Sequence, residues 1–132
     1  MELGMVGLGR MGGNMAQRLL AGGHSVVAYD PGPEAVAAVE ALGAGAANSL
    51  ENLVALLSPP RAVWTMVPSG RITEDTIAEL GNLLSAGDTV VDGGNSNYKD
   101  SVRRASELGK KGVLFLDSGT SGGIWGLPRA TA

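Results

Sequence analysis

Gly7-Leu8-Gly9-Arg10-Met11-Gly12 ends a short apolar run, Leu3-Gly4-Met5-Val6-Gly7-Leu8, and opens a stretch where Met11, Met15, Leu19 and Leu20 recur at helical spacing. A buried strand that turns into a helix through glycines at this spacing is the layout of a dinucleotide-binding turn. Gly7 permits the tight turn, Gly9 lets backbone amides approach a diphosphate, and Gly12 lets the helix pack closely on its sheet. The helix amino terminus adds N–H donors and a partial positive charge. In a chain with 21 glycines the spacing alone is a weak signal. What strengthens it is Asp30, eighteen positions after Gly12 and directly after the next apolar run, Ser25-Val26-Val27-Ala28-Tyr29.

The alternation continues outward. Gly22-Gly23 close the first helix. Pro33 suits the first turn of a second helix, with Val36 and Val39 inward and Gly43 as its stop. A short strand is expected near Ala44-Gly45-Ala46. Asn48 and Glu51 form a capping-box pattern ahead of Leu50, Leu53, Val54 and Leu57, and Pro59-Pro60 end that helix. Ala62 to Val67 reads as a strand broken at Pro68-Ser69-Gly70, and Ile77, Leu80, Leu83 and Leu84 mark a helix. Thr89-Val90-Val91 is a strand broken at Asp92-Gly93-Gly94-Asn95. Asn97 and Asp100 can cap a helix carrying Val102, Ala105 and Leu108, and Val113 to Leu116 is the last strand. Such alternation predicts one α/β domain, residues 1–132, with a doubly wound parallel sheet of Rossmann type.

Composition narrows the function. Net charge is −3 over 132 residues with no basic stripe, which excludes nucleic acid as the expected partner. No apolar run reaches a membrane span, and Met1-Glu2-Leu3-Gly4 leads straight into a strand without the layout of a leader peptide. With no cysteine and one histidine, no metal site is expected, and a reducing cytoplasm is the expected location.

In open α/β sheets ligands bind beyond the carboxyl ends of the strands. The breaks in pattern fall there: Gly9 to Gly12, Asp30, Val67 to Gly70, Gly94 to Ser96 and Ser121 to Gly123. Asp30 can accept hydrogen bonds from the adenosine ribose, cap the turn before Pro31, or do both. Its charge would repel a 2′-phosphate and no arginine follows it, so NAD is favoured over NADP. Arg10 either contacts a phosphate or faces solvent. Asn95 can serve a polyol substrate and the nicotinamide carboxamide, or cap the next helix. Ser121-Gly122-Gly123 is either a cradle for a carboxylate or a plain glycine loop. Trp125 reads as a lid or as an apolar plug. His24 is expected at the surface, Trp64 and Met66 in the core, and Lys99, Lys110 and Lys111 on solvated helix.

Four segments together, Gly7 to Asn14, Val67-Pro68-Ser69-Gly70, Asp92 to Asp100 and Gly119-Thr120-Ser121-Gly122-Gly123, resemble the decarboxylating 6-phosphogluconate dehydrogenases, most closely the shorter bacterial branch, which is often NAD-preferring. The Asp-Gly-Gly-Asn-Ser segment is the specific part. The related 3-hydroxyisobutyrate dehydrogenases share the front loop and a Ser-Gly-Gly loop but usually lack it. The resemblance implies oxidation of the 3-hydroxyl of 6-phosphogluconate by hydride transfer to NAD(P), then loss of carbon dioxide to give ribulose 5-phosphate. It places Gly7, Leu8, Gly9, Arg10, Met11, Gly12, Asp30, Val67, Pro68 and Ser69 along the cofactor. Asn95 falls between nicotinamide and substrate, and Ser121, Gly122 and Gly123 on the substrate carboxylate, with Asn95 and Ser121 as catalytic candidates.

The family's general-base lysine and general-acid glutamate follow the Ser-Gly-Gly loop, and a large helical domain grips the substrate phosphate and builds the dimer. Leu127 to Ala132 does not match that continuation, so the expectation is a coenzyme-binding part of an oligomeric parent, inactive alone for lack of a positioned base. A nucleotide-binding module without catalysis is the alternative from another class.

Overall fold

A computed structural model describes residues 2–67, 70–93 and 98–117. Strand and helix alternate as β1 (Glu2–Val6), α1 (Arg10–Ala21), β2 (Ser25–Tyr29), α2 (Pro33–Glu40), β3 (Gly45–Ala46) and α3 (Leu50–Leu56). The second half continues with β4 (Ala62–Thr65), α4 (Arg71–Leu83), β5 (Thr89–Asp92), α5 (Tyr98–Gly109) and β6 (Leu114–Asp117). The strands form one parallel sheet of six in the order β3-β2-β1-β4-β5-β6. The doubly wound expectation is met. Chain progression reverses between β1 and β4, which opens a crevice above their carboxyl ends.

Right-handed crossovers place helices on opposite faces for the two directions of travel. One core layer joins Ala16 of α1 and Val36 and Val39 of α2 to Leu3, Met5, Val26, Ala28 and Trp64. The other joins Leu53, Val54, Ile77, Leu80 and Leu108 from α3, α4 and α5 to Val6, Val63, Val90 and Phe115. Strand alternation puts Leu114 and Leu116 on the first of these faces, beyond the reach of α1 and α2, and both are exposed.

Several local expectations shift. The cap of α3 is Ser49, not Asn48: its hydroxyl accepts from Asn52 N–H at 3.0 Å, while the Asn52 side chain accepts from Asn48 N–H at 3.0 Å. Asn52 takes the part expected of Glu51, but its side chain accepts from the residue before the cap. Met66 is half-buried at the crevice instead of in the core, whereas Trp64 is buried as expected. Lys110 and Lys111 are exposed but lie past the end of α5, and Lys111 Nζ donates to Asn82 Oδ1 at 2.9 Å. His24 is exposed, as expected.

Val102 is a larger departure. It is 52% exposed; Leu108 is buried and Ala105 packs on the core as expected, but Ser101 and Arg104 take the inward positions ahead of them. Two polar residues take that face because acceptors await them. Ser101 Oγ donates to Asp117 Oδ2 at 2.6 Å, and Arg104 meets carboxylates of α4 and β5. Apolar periodicity cannot find a helix face whose buried residues are charged and paired.

At the amino ends of the strands, buried Asp88 precedes β5 and accepts from Arg61 N–H at 2.7 Å, Ser85 N–H at 2.8 Å and Arg61 Nη1 at 3.2 Å. Burial pushes its carboxyl up, but those donors and the guanidinium charge outweigh it and hold the group below the ordinary aspartate value of 3.8. A lowered folded-state value means stability that is present above the unfolded value and lost as pH falls through the folded one. Asp88→Asn is therefore expected to cost about 2 kcal/mol in urea unfolding at pH 7. That deficit should hold above about pH 5 and shrink as pH falls below the ordinary aspartate range.

The glycine turn yields a second stability test. A Cβ on Gly12 would collide with the Gly7 carbonyl oxygen, whereas a Cβ on Gly9 would meet nothing within 4 Å. Gly9 has φ −63°, which alanine adopts freely. Gly12→Ala should lower unfolding stability by about 2 kcal/mol through forced displacement of α1. Gly9→Ala should stay within about 0.5 kcal/mol of the parent.

Candidate functional site

The turn after β1 is held by backbone and side chain together. Gly7 N–H donates to Tyr29 O at 2.9 Å, and Met66 N–H donates to Val6 O at 2.7 Å. Gly7 sits at φ +94°, and a Cβ there would come within 2.6 Å of the Met66 carbonyl oxygen, so neither the dihedral nor the space admits a side chain. Leu8 turns its side chain into the core. Helical bonding in α1 starts with Gly13 N–H to Gly9 O at 2.8 Å. No side chain caps this helix and no acidic residue sits in its first turn. The amino-terminal amides and their partial positive charge are thus left uncompensated at the crevice.

Asp30 lies beside that turn. Its Oδ2 accepts from Leu8 N–H at 2.7 Å and its Oδ1 from Gly32 N–H at 2.8 Å. Turn-capping is thereby realised, and one of the loop amides, that of Leu8, is engaged by the carboxylate. Each carboxylate oxygen keeps a further lone pair for a ligand hydroxyl. Asp30 and Pro31 line both the main crevice, about 510 Å³, and a neighbouring hollow of about 370 Å³ that runs between β2, α2 and Asn48.

The main crevice has Gly7, Gly9 and Gly12 on its floor, Arg10 and Met11 on one wall, and Met66, Val67, Ile72 and Gly93 on the other. Met11 is 47% exposed and Ile72 55% exposed, so both walls present apolar surface to whatever enters. Met11 does not pack in the core as its helical spacing suggested, and Arg10 is exposed. Ile72 escaped the sequence reading; five residues before Ile77, it falls off the buried stripe, which runs through Thr73, Ile77 and Leu80. Pro68, Ser69, Asn95, Ser121, Gly122, Gly123 and Trp125 lie outside the described residues. Gly93, which leads toward Asn95, sits on Trp64 and Met66 so closely that a Cβ would collide with the indole Nε1 and the thioether sulfur.

A charged cluster joins α4 to α5, where Glu74 and Arg104 line a separate hollow of about 350 Å³. Glu74, in the first turn of α4, accepts from Arg103 Nη2 at 2.7 Å, Arg103 Nη1 at 2.9 Å and Arg104 Nη2 at 2.9 Å. The hydrogen bond from Arg103 is foremost in holding its carboxyl down to about 2, aided by Arg104 and opposed by partial burial. Sequence reading passed over this group, although Arg104 falls on the Ser101–Leu108 spacing that marks the inward side. Among the described residues no group of His, Cys, Asp and Glu could hold a metal ion. Likewise, no described helix is long and apolar enough to cross a membrane.

An open helix amino terminus over a side-chain-free glycine floor, flanked by a fixed carboxylate, suits a dinucleotide. The family profile for the NAD binding domain of 6-phosphogluconate dehydrogenase matches residues 2–132. The NAD(+)-dependent, decarboxylating 6-phosphogluconate dehydrogenase of Haloferax volcanii is 46% identical over 123 residues, covering 93% of this chain and 40% of its own length. The decarboxylating enzyme of Drosophila melanogaster is 41% identical over 130 residues, covering 92% of this chain and 26% of its own length. Among solved structures, the 3-hydroxyisobutyrate dehydrogenase of Mycobacterium tuberculosis with L-serine superposes with a TM-score of 0.80 at 26% identity, over 88% of this chain and 39% of that one. The chain thus spans less than half the length of these relatives. With a profile match from Glu2 to Ala132 and relatives above 40% identity, the chain belongs to the 6-phosphogluconate dehydrogenase family, through its NAD(P)-binding domain.

Proposed function

We propose that residues 1–132 are the coenzyme-binding domain of a decarboxylating 6-phosphogluconate dehydrogenase that prefers NAD, its helical domain lying outside this sequence. The observation that carries this is the uncapped first turn of α1 facing the crevice beside a carboxylate fixed by two backbone N–H donors. In this reading the amides of Gly9 to Gly12 bind the diphosphate. Asp30 accepts from the adenosine ribose with its remaining lone pairs and repels a 2′-phosphate. Met11 and Ile72 shield the rings, and Val67, Pro68 and Ser69 run along the ribose. The cofactor, when bound, supplies the hydride acceptor. Asn95 orients the carboxamide and the sugar acid, and Ser121, Gly122 and Gly123 hold the substrate carboxylate.

The Asp92-Gly93-Gly94-Asn95-Ser96 segment and the names of the relatives favour a phosphorylated sugar acid as substrate. A 3-hydroxyisobutyrate-type hydroxyacid is the second reading, favoured by the fold match with that dehydrogenase. Assaying a full-length parent with 6-phosphogluconate and with 3-hydroxyisobutyrate separates the two; turnover of only the latter would overturn the first.

NADH fluorescence titration tests the cofactor reading on this chain directly. NADH is expected to bind more tightly than NADPH, and failure of both to bind would sink the proposal. Gly9→Ala, which leaves the fold intact, should weaken NADH about tenfold or more by holding the diphosphate off the amides. Asp30→Asn keeps one of the two acceptors, giving up the bond to Leu8 or Gly32, and removes the charge, so NADH should weaken while the NADH-over-NADPH preference shrinks about tenfold. An unchanged ratio would remove Asp30 from the selectivity argument.

A further inference from the structure

The inward polar face of α5 touches the roots of several strand-end loops at once. Arg104 is only 4% exposed. Its Nε and Nη2 both donate to Glu74 Oε1, at 3.1 and 2.9 Å, and Glu74 stands one turn after the segment 67–70. Its Nη1 lies 3.6 Å from Oδ2 of Asp92, a fully buried carboxylate that ends β5 directly before Gly93. Among the described residues that buried Nη1 has no hydrogen-bond partner, so the ion pair is its compensation for lost water. The guanidinium therefore spans two carboxylates whose backbones lead to Val67 and Ile72 and to Gly93, which share one wall of the crevice.

We infer that Arg104 is a positioning residue: its planar fork sets the distance between the amino end of α4 and the end of β5, and so the shape of the wall that Val67, Ile72 and Gly93 form on the nicotinamide side of the crevice. The inference rests on the coenzyme-binding reading above. It differs from a simple stability role in what it leaves untouched. The glycine turn and Asp30 are held by their own bonds, to Tyr29 O, Leu8 N–H and Gly32 N–H, and none of these passes through α5. A ligand that uses only the glycine turn and Asp30 should be indifferent to Arg104, whereas one that reaches across to the segments after β4 and β5 should not.

ADP-ribose and NADH make that comparison, with both affinities measured on the 132-residue chain and on two variants. Arg104→Lys keeps the charge but cannot fork between Glu74 and Asp92. Glu74→Gln, at a half-exposed position, loosens the same join while Asp92 stays beside the buried guanidinium. Each is expected to weaken NADH five- to tenfold while ADP-ribose stays within twofold (an NADH-specific change of about 1 kcal/mol). Equal weakening of both ligands would mean a general structural role, and no weakening of either would mean no role; both results overturn the inference. If Arg104→Lys does not fold, Glu74→Gln decides alone. Failure of the unmodified chain to bind NADH would instead overturn the coenzyme reading, and this inference with it.

Discussion

The first turn of α1 rests so closely on the end of β1 that position 12 has no room for a methyl group against the Gly7 carbonyl, and position 7 none against Met66. Everything at the crevice follows from this approach. It brings the helix amino terminus level with the strand ends, where its unpaired amides and partial charge can act on a ligand instead of on solvent. It also removes side chains from the floor, so a diphosphate would meet backbone alone. A larger residue at either glycine would lift the helix and separate the donors from the strand-end residues beside them.

Asp30 extends this rigidity sideways. By accepting from Leu8 N–H and Gly32 N–H it fastens the turn after β1 to the turn after β2, two neighbouring strands whose register runs from Glu2 opposite Ser25 to Val6 opposite Tyr29. Turn-holding and ligand recognition are compatible in one carboxylate because its oxygens accept more than one hydrogen bond each. On the other side of the crevice the same task falls to charged side chains beneath the loops. Ser101 with Asp117, and Arg104 with Glu74 and Asp92, tie α5 to β6, α4 and β5. Buried charges are tolerated there because each has an opposite partner.

Most of the architecture was legible because its signals are local. Pro33 in the first turn of α2, the double glycine after α1, and short apolar runs ending at Tyr29 and Asp92 each state a backbone preference without help from distant residues. Where a choice depended on neighbours in space, the sequence misled. Ser49 outcompeted Asn48 as the cap of α3 because Asn52, not Glu51, reached back. Val102 looked like a core residue, yet the acceptors on β6, α4 and β5 rotate α5 so that Ser101 and Arg104 face inward. Met11 shares the helical spacing of Met15 and Leu19, yet its side chain lines a wall of the crevice.

By itself, then, the sequence determined the order of elements, the parallel doubly wound sheet, and the glycine turn with its acidic companion, since strand–turn–helix preferences and crossover handedness act over a few residues. Tertiary structure alone decided that Asp30 spends part of its hydrogen-bonding capacity on Leu8 and Gly32, and that one buried guanidinium joins the amino end of α4 to the end of β5. Those pairings link positions far apart along the chain, Asp30 with Leu8 and Arg104 with Glu74. Only packing brings them within hydrogen-bond reach, and only there does burial make each pairing a requirement.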